Sequence, residues 1–187
     1  MKQVSRYHPL LVTLHWALAF LIIAALTLGF FGFAATPNSD PQKIDILRAH
    51  MAGGMLILAL MAIRFIVRMM TSKPAVATTG FPLLDRIAPF SHYGFYVLVL
   101  LMAGTGYTTA ILAGLPAIVF GGSGDPLTPT FVIYPTRVAH GYIATLLVGF
   151  IVLHVLAAFY HQFVRKDRLF RRMSFGRRVS NPVTPAE

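Results

Sequence analysis

Three histidines share the last apolar segment of this chain. His140, His154 and His161 are 14 and 7 residues apart within residues 138–164, a stretch without Asp, Glu, Lys or Arg. At about 100° per residue, both steps return close to the same face of an α-helix, so the three lie on one stripe. Ionisable groups inside apolar segments are costly, and they usually bind something or line a pathway. Two other apolar segments carry His15 and His50 near one end, which makes paired metal ligands a hypothesis to test.

The composition indicates whether these histidines lie in a water-soluble protein or in a membrane protein. The chain has 187 residues, of which 56% are hydrophobic and 12% charged, and its mean hydropathy is +0.69. Such a chain is too apolar for an ordinary soluble domain, so we expect an integral membrane protein. It contains no Cys, which excludes disulfides, thiolate-bound iron–sulfur clusters and covalent haem attachment. Any iron must then be bound by His, Met or Tyr.

Four segments are long enough to cross a bilayer, at residues 10–35, 46–70, 89–115 and 138–164. The charge-free part of the second, 49–63, spans roughly 22 Å of a bilayer interior of roughly 30 Å. Arg64 and Arg68 must therefore reach the headgroups or pair with an anion at the membrane edge. The prediction is an all-α, integral membrane four-helix bundle that forms a single domain over 1–187, with a basic tail at about 165–187.

Lysine and arginine are distributed unequally between the two ends of this bundle. The end with both termini and the 71–88 connection holds thirteen of them, whereas the other end holds only Lys43, Arg48 and Arg137. The positive-inside rule then places both termini in the cytoplasm, which predicts a multi-pass protein of the inner membrane. Nucleic-acid binding is disfavoured because the charges flank a membrane span and no nucleic-acid motif accompanies them.

This orientation allows the depth of each histidine to be estimated. His50 and His140 both lie near the periplasmic end of their helices, and His15 and His154 both lie in the cytoplasmic half, with His154 roughly 21 Å from His140 along its helix. His161 follows two turns later, at the cytoplasmic interface. His92 begins the third segment on that side, either as a hydrogen-bonding group at the helix start or as part of a site shared with His161.

Two histidines at each depth favour haem over other metal centres. Two imidazoles can complete six-coordinate haem iron from opposite sides, whereas zinc needs three or four protein ligands around one point. No carboxylate accompanies the histidines inside the predicted spans, which argues against copper, zinc or di-iron centres. The hypothesis is two haems stacked across the bilayer. Candidate partners for their propionates are Arg48 and Arg137 on the periplasmic side and Arg64 and Arg68 on the cytoplasmic side.

Two readings without haem compete with this one. A single membrane histidine often serves as a hydrogen-bonding group between helices, and for any one of the five that reading is competitive. Four histidines that pair at two depths are harder to explain in this way. A small transporter that moves protons along the histidine stripe is disfavoured because the spans contain no acidic relay.

A series of short motifs runs along nearly all of the chain, up to about residue 173. They are Leu14-His15-Trp16, Ala49-His50 followed by Gly53-Gly54, Arg64 with Arg68, Ser91-His92 to Tyr96, Arg137 before His140, the step to His154, Phe159-Tyr160-His161 and Arg165-Lys166-Asp167. No single motif is specific, but in their order and spacing the chain resembles the bacterial cytochrome b561 family.

The resemblance implies a two-haem membrane cytochrome with haem b and a role in quinone-linked electron transfer. By position, His15, His50, His140 and His154 match the axial ligands. Some members resemble a superoxide oxidase, which passes electrons from periplasmic superoxide to ubiquinone, and in these a histidine one heptad after the last ligand, here His161, lies by the quinone. The alternative is an electron-transfer subunit that links a dehydrogenase, hydrogenase or terminal oxidase to the quinone pool. The Gly- and Pro-rich connection 116–135 or the cytoplasmic tail would then be the docking surface. Otherwise the connection is a cap or a linker.

Overall fold

The computed structural model describes residues 3–75 and 77–181. Within these residues four long helices form a bundle, joined by two short helices and one pair of two-residue strands. The helices are α1 Pro9–Ala35, α2 Gln42–Met70, α3 Pro82–Leu112, α4 Leu115–Val119, α5 Pro135–Val164 and α6 Leu169–Arg172, and the antiparallel strands are β1 Gln3–Val4 and β2 Ser180–Asn181. We call the end with residues 3–8, 71–75, 77–86 and 165–181 the terminal face, and the end with 36–41 and 113–134 the loop face.

The four predicted membrane helices are confirmed. Spans at Pro9–Ala35, Gln42–Met70, Phe90–Leu112 and Pro135–Val164 are long and apolar enough to cross a membrane. Proline stands at the start of α1, α3 and α5, where its missing N–H costs nothing because the first turn lacks intrahelical acceptors. His8 supports the first turn of α1 through its Nδ1, which accepts a hydrogen bond from the Leu10 N–H at 3.3 Å.

Five helix boundaries differ from the prediction, of which two are earlier starts, by one residue for α1 at Pro9 and by three for α5 at Pro135. α2 begins at Gln42, before the expected residue 46, because Lys43 is turned inward and only 4% exposed. Its Nζ donates hydrogen bonds to the Phe33 carbonyl, at 2.8 Å, and to the Thr36 carbonyl, which closes the end of α1. α3 begins seven residues before the expected start at 89 and ends at Leu112. The chain then turns at Gly114, whose φ of +64° suits glycine.

Packing in the bundle follows the order of the chain. α1 contacts α2, α2 contacts α3, and α3 contacts α5. A core cluster joins Leu18 of α1, Ile57 and Met61 of α2 and Val99 of α3. Many large apolar side chains remain exposed on the outside, including Phe20 and Leu153, as expected for a surface that faces lipid.

The connection at the loop face is more ordered than its Gly- and Pro-rich sequence predicts. Its first part forms α4, whose Leu115 and Val119 pack against Leu47 and Ala110. Further along, the Asn38 side-chain amide donates to the Thr128 carbonyl at 2.8 Å. Apolar burial and a cross-connection hydrogen bond hold this part of the chain to the bundle, which favours the cap over the plain linker among the expected roles.

At the terminal face, the basic tail folds back onto the start of the chain. β2 pairs with β1, and Trp16 Nε1 donates to the Met173 carbonyl at 2.9 Å. Arg178 donates to the carbonyls of Arg6 and Ser72, at 3.1 and 2.8 Å. The tail up to residue 181 is thus docked on protein, while the last six residues of the predicted tail lie outside the described residues.

Candidate metal centres

His50 of α2 and His140 of α5 face each other near the loop face. Their ring centroids are 6.1 Å apart and their planes cross at 71°. Both rings line a cavity of about 800 Å³ whose walls are mainly apolar, with Phe33, Lys43 and Arg137 among the lining residues. The cavity is large enough for a cofactor and offers few polar groups, as ligand sites usually do. We call these two residues the loop-face pair.

The ring of His140 is held in one orientation by hydrogen bonds. Its Nδ1 lies 3.0 Å from the Met102 carbonyl and 3.1 Å from Thr105 Oγ1. A carbonyl oxygen only accepts, so Nδ1 carries the hydrogen and Nε2 keeps its lone pair for a metal. Metal-bound histidines commonly donate their second N–H to a carbonyl in this way. The sequence alone did not identify Met102 or Thr105 as supporting residues.

Two glycines adjoin the loop-face pair, and one of them, Gly106, leaves space that a Cβ atom would fill. A Cβ atom at Gly106 of α3 would lie 3.1 Å from His140 Cε1, and one at Gly29 would lie 3.5 Å from His50 Cε1. Gly29 belongs to a π-helical turn of α1, Leu28–Gly32, a type of irregularity that is frequent at functional sites. Both glycines were missed by sequence reasoning, because a glycine in an apolar helix gives no signal of which neighbour it accommodates.

His15 of α1 and His154 of α5 face each other nearer the terminal face. Their ring centroids are 6.2 Å apart and their planes cross at 64°, and we call them the terminal-face pair. His92 is a third ring at this level, with its centroid 6.1 Å from that of His154. Phe95 packs edge-on against His154 at 5.4 Å. Ring separation alone does not choose between His15 and His92 as the partner of His154, so the assignment of His15 stays a prediction.

The separations within both pairs fit one iron between two imidazoles. A metal–nitrogen bond of about 2 Å, added to about 1.1 Å from nitrogen to ring centre, puts two opposed rings roughly 6 Å apart. Among the described residues, no three His, Cys, Asp or Glu side chains converge as a metal site. Because a protein zinc site needs at least three such ligands, the donor set fits haem better than zinc. Iron binding by these pairs itself stays a prediction.

The four candidate propionate partners lie in different surroundings. Arg137 lines the cavity, whereas Arg48 is directed to α4 and Asp45, donating to the Val119 carbonyl at 3.0 and 2.9 Å. Arg64 is 8% exposed and donates to the Leu11 carbonyl. Arg68 has a buried Nε with no hydrogen-bond partner among the described residues. The geometry thus favours Arg137 and Arg68 as anion partners and gives Arg48 a structural contact instead.

His161 is buried at the terminal face and bonded to an acid. It is 6% exposed, and its Nδ1 lies 2.6 Å from Asp167 Oδ2. The residue belongs to the second π-helical turn, Tyr160–Val164. The sequence predicted His161 at this end of α5 but not its partner, because Asp167 follows the helix and reaches back only through the irregular turn. Its role beside a quinone stays a prediction.

Comparison with known proteins gives a consistent result along the chain. A family model for prokaryotic cytochrome b561 matches residues 6–176. A probable superoxide oxidase of Yersinia pestis is 27% identical over 177 residues, which cover 90% of this chain and 96% of that protein. Cytochrome b561 homolog 2 of Escherichia coli K12 is 25% identical over 172 residues, 90% and 91% of the two chains. Cytochrome b562 of Cereibacter sphaeroides is 28% identical over 177 residues, 92% and 98% of the two chains.

Proposed function

Because the chain belongs to the prokaryotic cytochrome b561 family, whose members bind haem b and transfer electrons in membranes, we propose that it is a two-haem superoxide:ubiquinone oxidoreductase. The observation that supports this most is the presence of two facing histidine pairs, at 6.1 and 6.2 Å between ring centroids. Along α5 their members are 14 residues apart, or roughly 21 Å, which is most of the membrane interior. Two sites at this spacing suit electron transfer from one face to the other.

The terminal face is the cytoplasmic one in this proposal. Residues 3–8, 71–86 and 165–181 carry ten of the sixteen Lys and Arg residues of the chain, whereas the loop-face segments 36–41 and 113–134 carry none. Positive residues near span ends favour the cytoplasmic side. The loop face, with the loop-face pair and its cavity of about 800 Å³, then meets the periplasm of a bacterial inner membrane. Lipid surrounds the apolar outer surface.

Each histidine pair would hold one haem b, His50 with His140 and His15 with His154. Such a haem would supply a one-electron carrier, held by both histidines of its pair. The chain's own residues orient the ligands: the Met102 carbonyl fixes the His140 ring. Guanidinium groups at Arg137 and Arg68 are placed to neutralise propionates by bidentate hydrogen bonds.

Superoxide is the donor that we favour. The relative from Yersinia pestis carries the name of a probable superoxide oxidase, and Arg137 and Lys43 line the cavity at the loop face, where positive charge attracts a small anion. Each superoxide gives up one electron and leaves as dioxygen. Two superoxides and two protons from the cytoplasmic side convert one ubiquinone to ubiquinol, so atoms and electrons balance.

The quinone would be bound at the terminal face, beside His161, with His92 on the same side. His161 is buried, and Asp167 accepts the hydrogen of its Nδ1. That bond leaves Nε2 to meet a quinone oxygen, and a histidine with an acid behind it can pass a proton inward. In this role Asp167 positions His161 and connects it to the aqueous side.

Stopped-flow mixing of the purified protein with superoxide and a ubiquinone analogue tests the proposal. We expect rapid haem reduction followed by ubiquinol formation, and slower reduction in Arg137→Gln than in the matched surface variant Lys73→Gln. Haems that accept electrons from ubiquinol but do not react with superoxide would favour the second candidate, a subunit that links another redox enzyme to the quinone pool. That result would refute the superoxide part of the proposal.

A further inference from the structure

A second cavity, of about 350 Å³, opens at the terminal face away from both histidine pairs. Five arginines and one acid line it: Arg6, Arg168, Arg171, Arg172, Arg177 and Asp167. Five arginines against one aspartate give this lining a formal charge of +4. Neither the family match nor the proposed electron transfer explains so many guanidinium groups around one small space.

The positive charge of this arginine pocket exceeds the negative charge that the described residues place around it. Arg6 donates to the carbonyls of Ser174 and Phe175, at 3.1 and 2.9 Å, and to Ser174 Oγ, but these acceptors carry no net charge. The one acid, Asp167, is bonded to His161 through Oδ2. Crowded like charges disfavour the compact state unless an anion joins them.

Three of the arginines keep their full donor capacity. Arg168, Arg171 and Arg177 have no side-chain hydrogen bond or ion pair among the described residues, and all three are exposed. Each guanidinium presents five N–H donors in a planar fork that matches the oxygens of a phosphate. Three such forks around one cavity point to an oxyanion with several acceptor oxygens.

The walls of the arginine pocket are held in place by contacts across the chain. β1, which precedes Ser5, pairs with β2, which follows Val179, and the Trp16 indole donates a hydrogen bond to the Met173 carbonyl. Arg172 Nη1 donates to the Ala75 carbonyl at 2.6 Å. These contacts join segments that are about 100 or more residues apart in sequence, so less ordering is needed when a ligand binds.

The position of the pocket indicates the source of the anion. Its residues Ser5 and Arg6 come just before Pro9, where the first span begins, and Asp167 to Arg172 come just after Val164, where the last span ends. Residues next to span ends lie at the level of lipid headgroups. We propose that the arginine pocket binds a phosphate group, most favourably the phosphodiester of an anionic phospholipid. This proposal does not rest on the proposed electron transfer.

Native mass spectrometry of the haem-loaded full chain in detergent tests this, with phosphatidylglycerol and phosphatidylcholine titrated separately. We expect one phosphatidylglycerol to bind at least tenfold more tightly than phosphatidylcholine. The double variant Arg171→Gln/Arg177→Gln should lose about tenfold or more of that affinity, because two charge-assisted contacts are removed. The matched control Lys73→Gln/Arg86→Gln removes the same charge from the same face outside the pocket, and it should change the affinity less than twofold.

A parallel calorimetric titration with inorganic phosphate separates the two sources of the anion. Phosphate binding that is lost in the pocket variant but kept in the control supports a soluble phosphate ligand, whereas phosphatidylglycerol binding alone supports the lipid. Equal affinity of the wild-type protein for both lipids without phosphate binding overturns the proposal, and this comparison needs no variant to fold. Equal losses in the two double variants also overturn it, because they indicate diffuse attraction of charge.

Discussion

Gly106 offers the sharpest test of how the loop-face pair is positioned. An alanine methyl there would lie 3.1 Å from His140 Cε1 and 3.4 Å from its Nδ1. Because carbon–carbon contacts are most favourable at about 3.5–4.0 Å, the ring must withdraw by roughly 0.4–0.9 Å. That movement weakens the bonds to Met102 and Thr105, each contributing about 1 kcal/mol. The gain in helix propensity, about 1 kcal/mol, only partly offsets this loss.

We therefore expect Gly106→Ala to change the spectrum and midpoint potential of one haem, and the bulkier Gly106→Val to lower haem content from two per chain towards one. The pyridine haemochrome assay measures the content, and low-spin EPR reports the ligand geometry. Gly104 is the matched control on the same helix, since a Cβ there has no neighbour within 4 Å. Unchanged haem content, EPR signal and potential in Gly106→Val would refute the reasoning, as would an equal loss in Gly104→Val.

Three further predictions follow from named contacts. His15→Ala should lose one haem by the pyridine haemochrome assay while His92→Ala keeps both, and the reverse result would reassign the ligand of the terminal-face pair. Asp167→Asn should slow ubiquinol formation in stopped flow without loss of haem, because His161 loses its charged partner; an unchanged rate would count against the proton path. Lys43→Met should lower the free energy of unfolding by about 1–3 kcal/mol in denaturant titration, because two carbonyls at the end of α1 lose their donor. An unaltered unfolding midpoint would show that water replaces this donor.

The four membrane helices could be predicted from the sequence because hydropathy and length are properties of whole segments and do not depend on single contacts. Charge-free runs of more than 20 residues leave few alternatives to membrane helices, and the expected span at 10–35 differs from α1 by one residue. The boundaries of α2 and α3 were less predictable. A lysine at position 43 predicts the end of a membrane segment, and only its contact with the end of α1 shows that the helix includes it. The start of α3 at Pro82 could not be predicted from hydropathy, because the first residues of this helix include polar ones.

The sequence suggested the histidines of the candidate sites, but not the residues that hold and surround them. Helical spacing placed the histidines of α5 on one stripe, since 14 residues are close to four turns. Their depths in the bundle, oriented by positive charge, then suggested which histidines meet. The partners of these rings come from other helices: Thr105 contacts His140, and Gly106 leaves space for it. Asp167 reaches His161 only through a π-helical turn, which no hydropathy pattern reveals. The arginine pocket was likewise hidden, because a basic tail in sequence indicates topology and not a cavity.

Haem content and coordination of the purified chain test the central claim most directly. The account predicts two haems b per polypeptide by pyridine haemochrome assay, both six-coordinate and low-spin in the oxidised and reduced optical spectra, since each of two histidine pairs supplies both axial ligands. A preparation that is colourless, that holds one haem per chain at full folding, or that shows a high-spin haem open to carbon monoxide would contradict it.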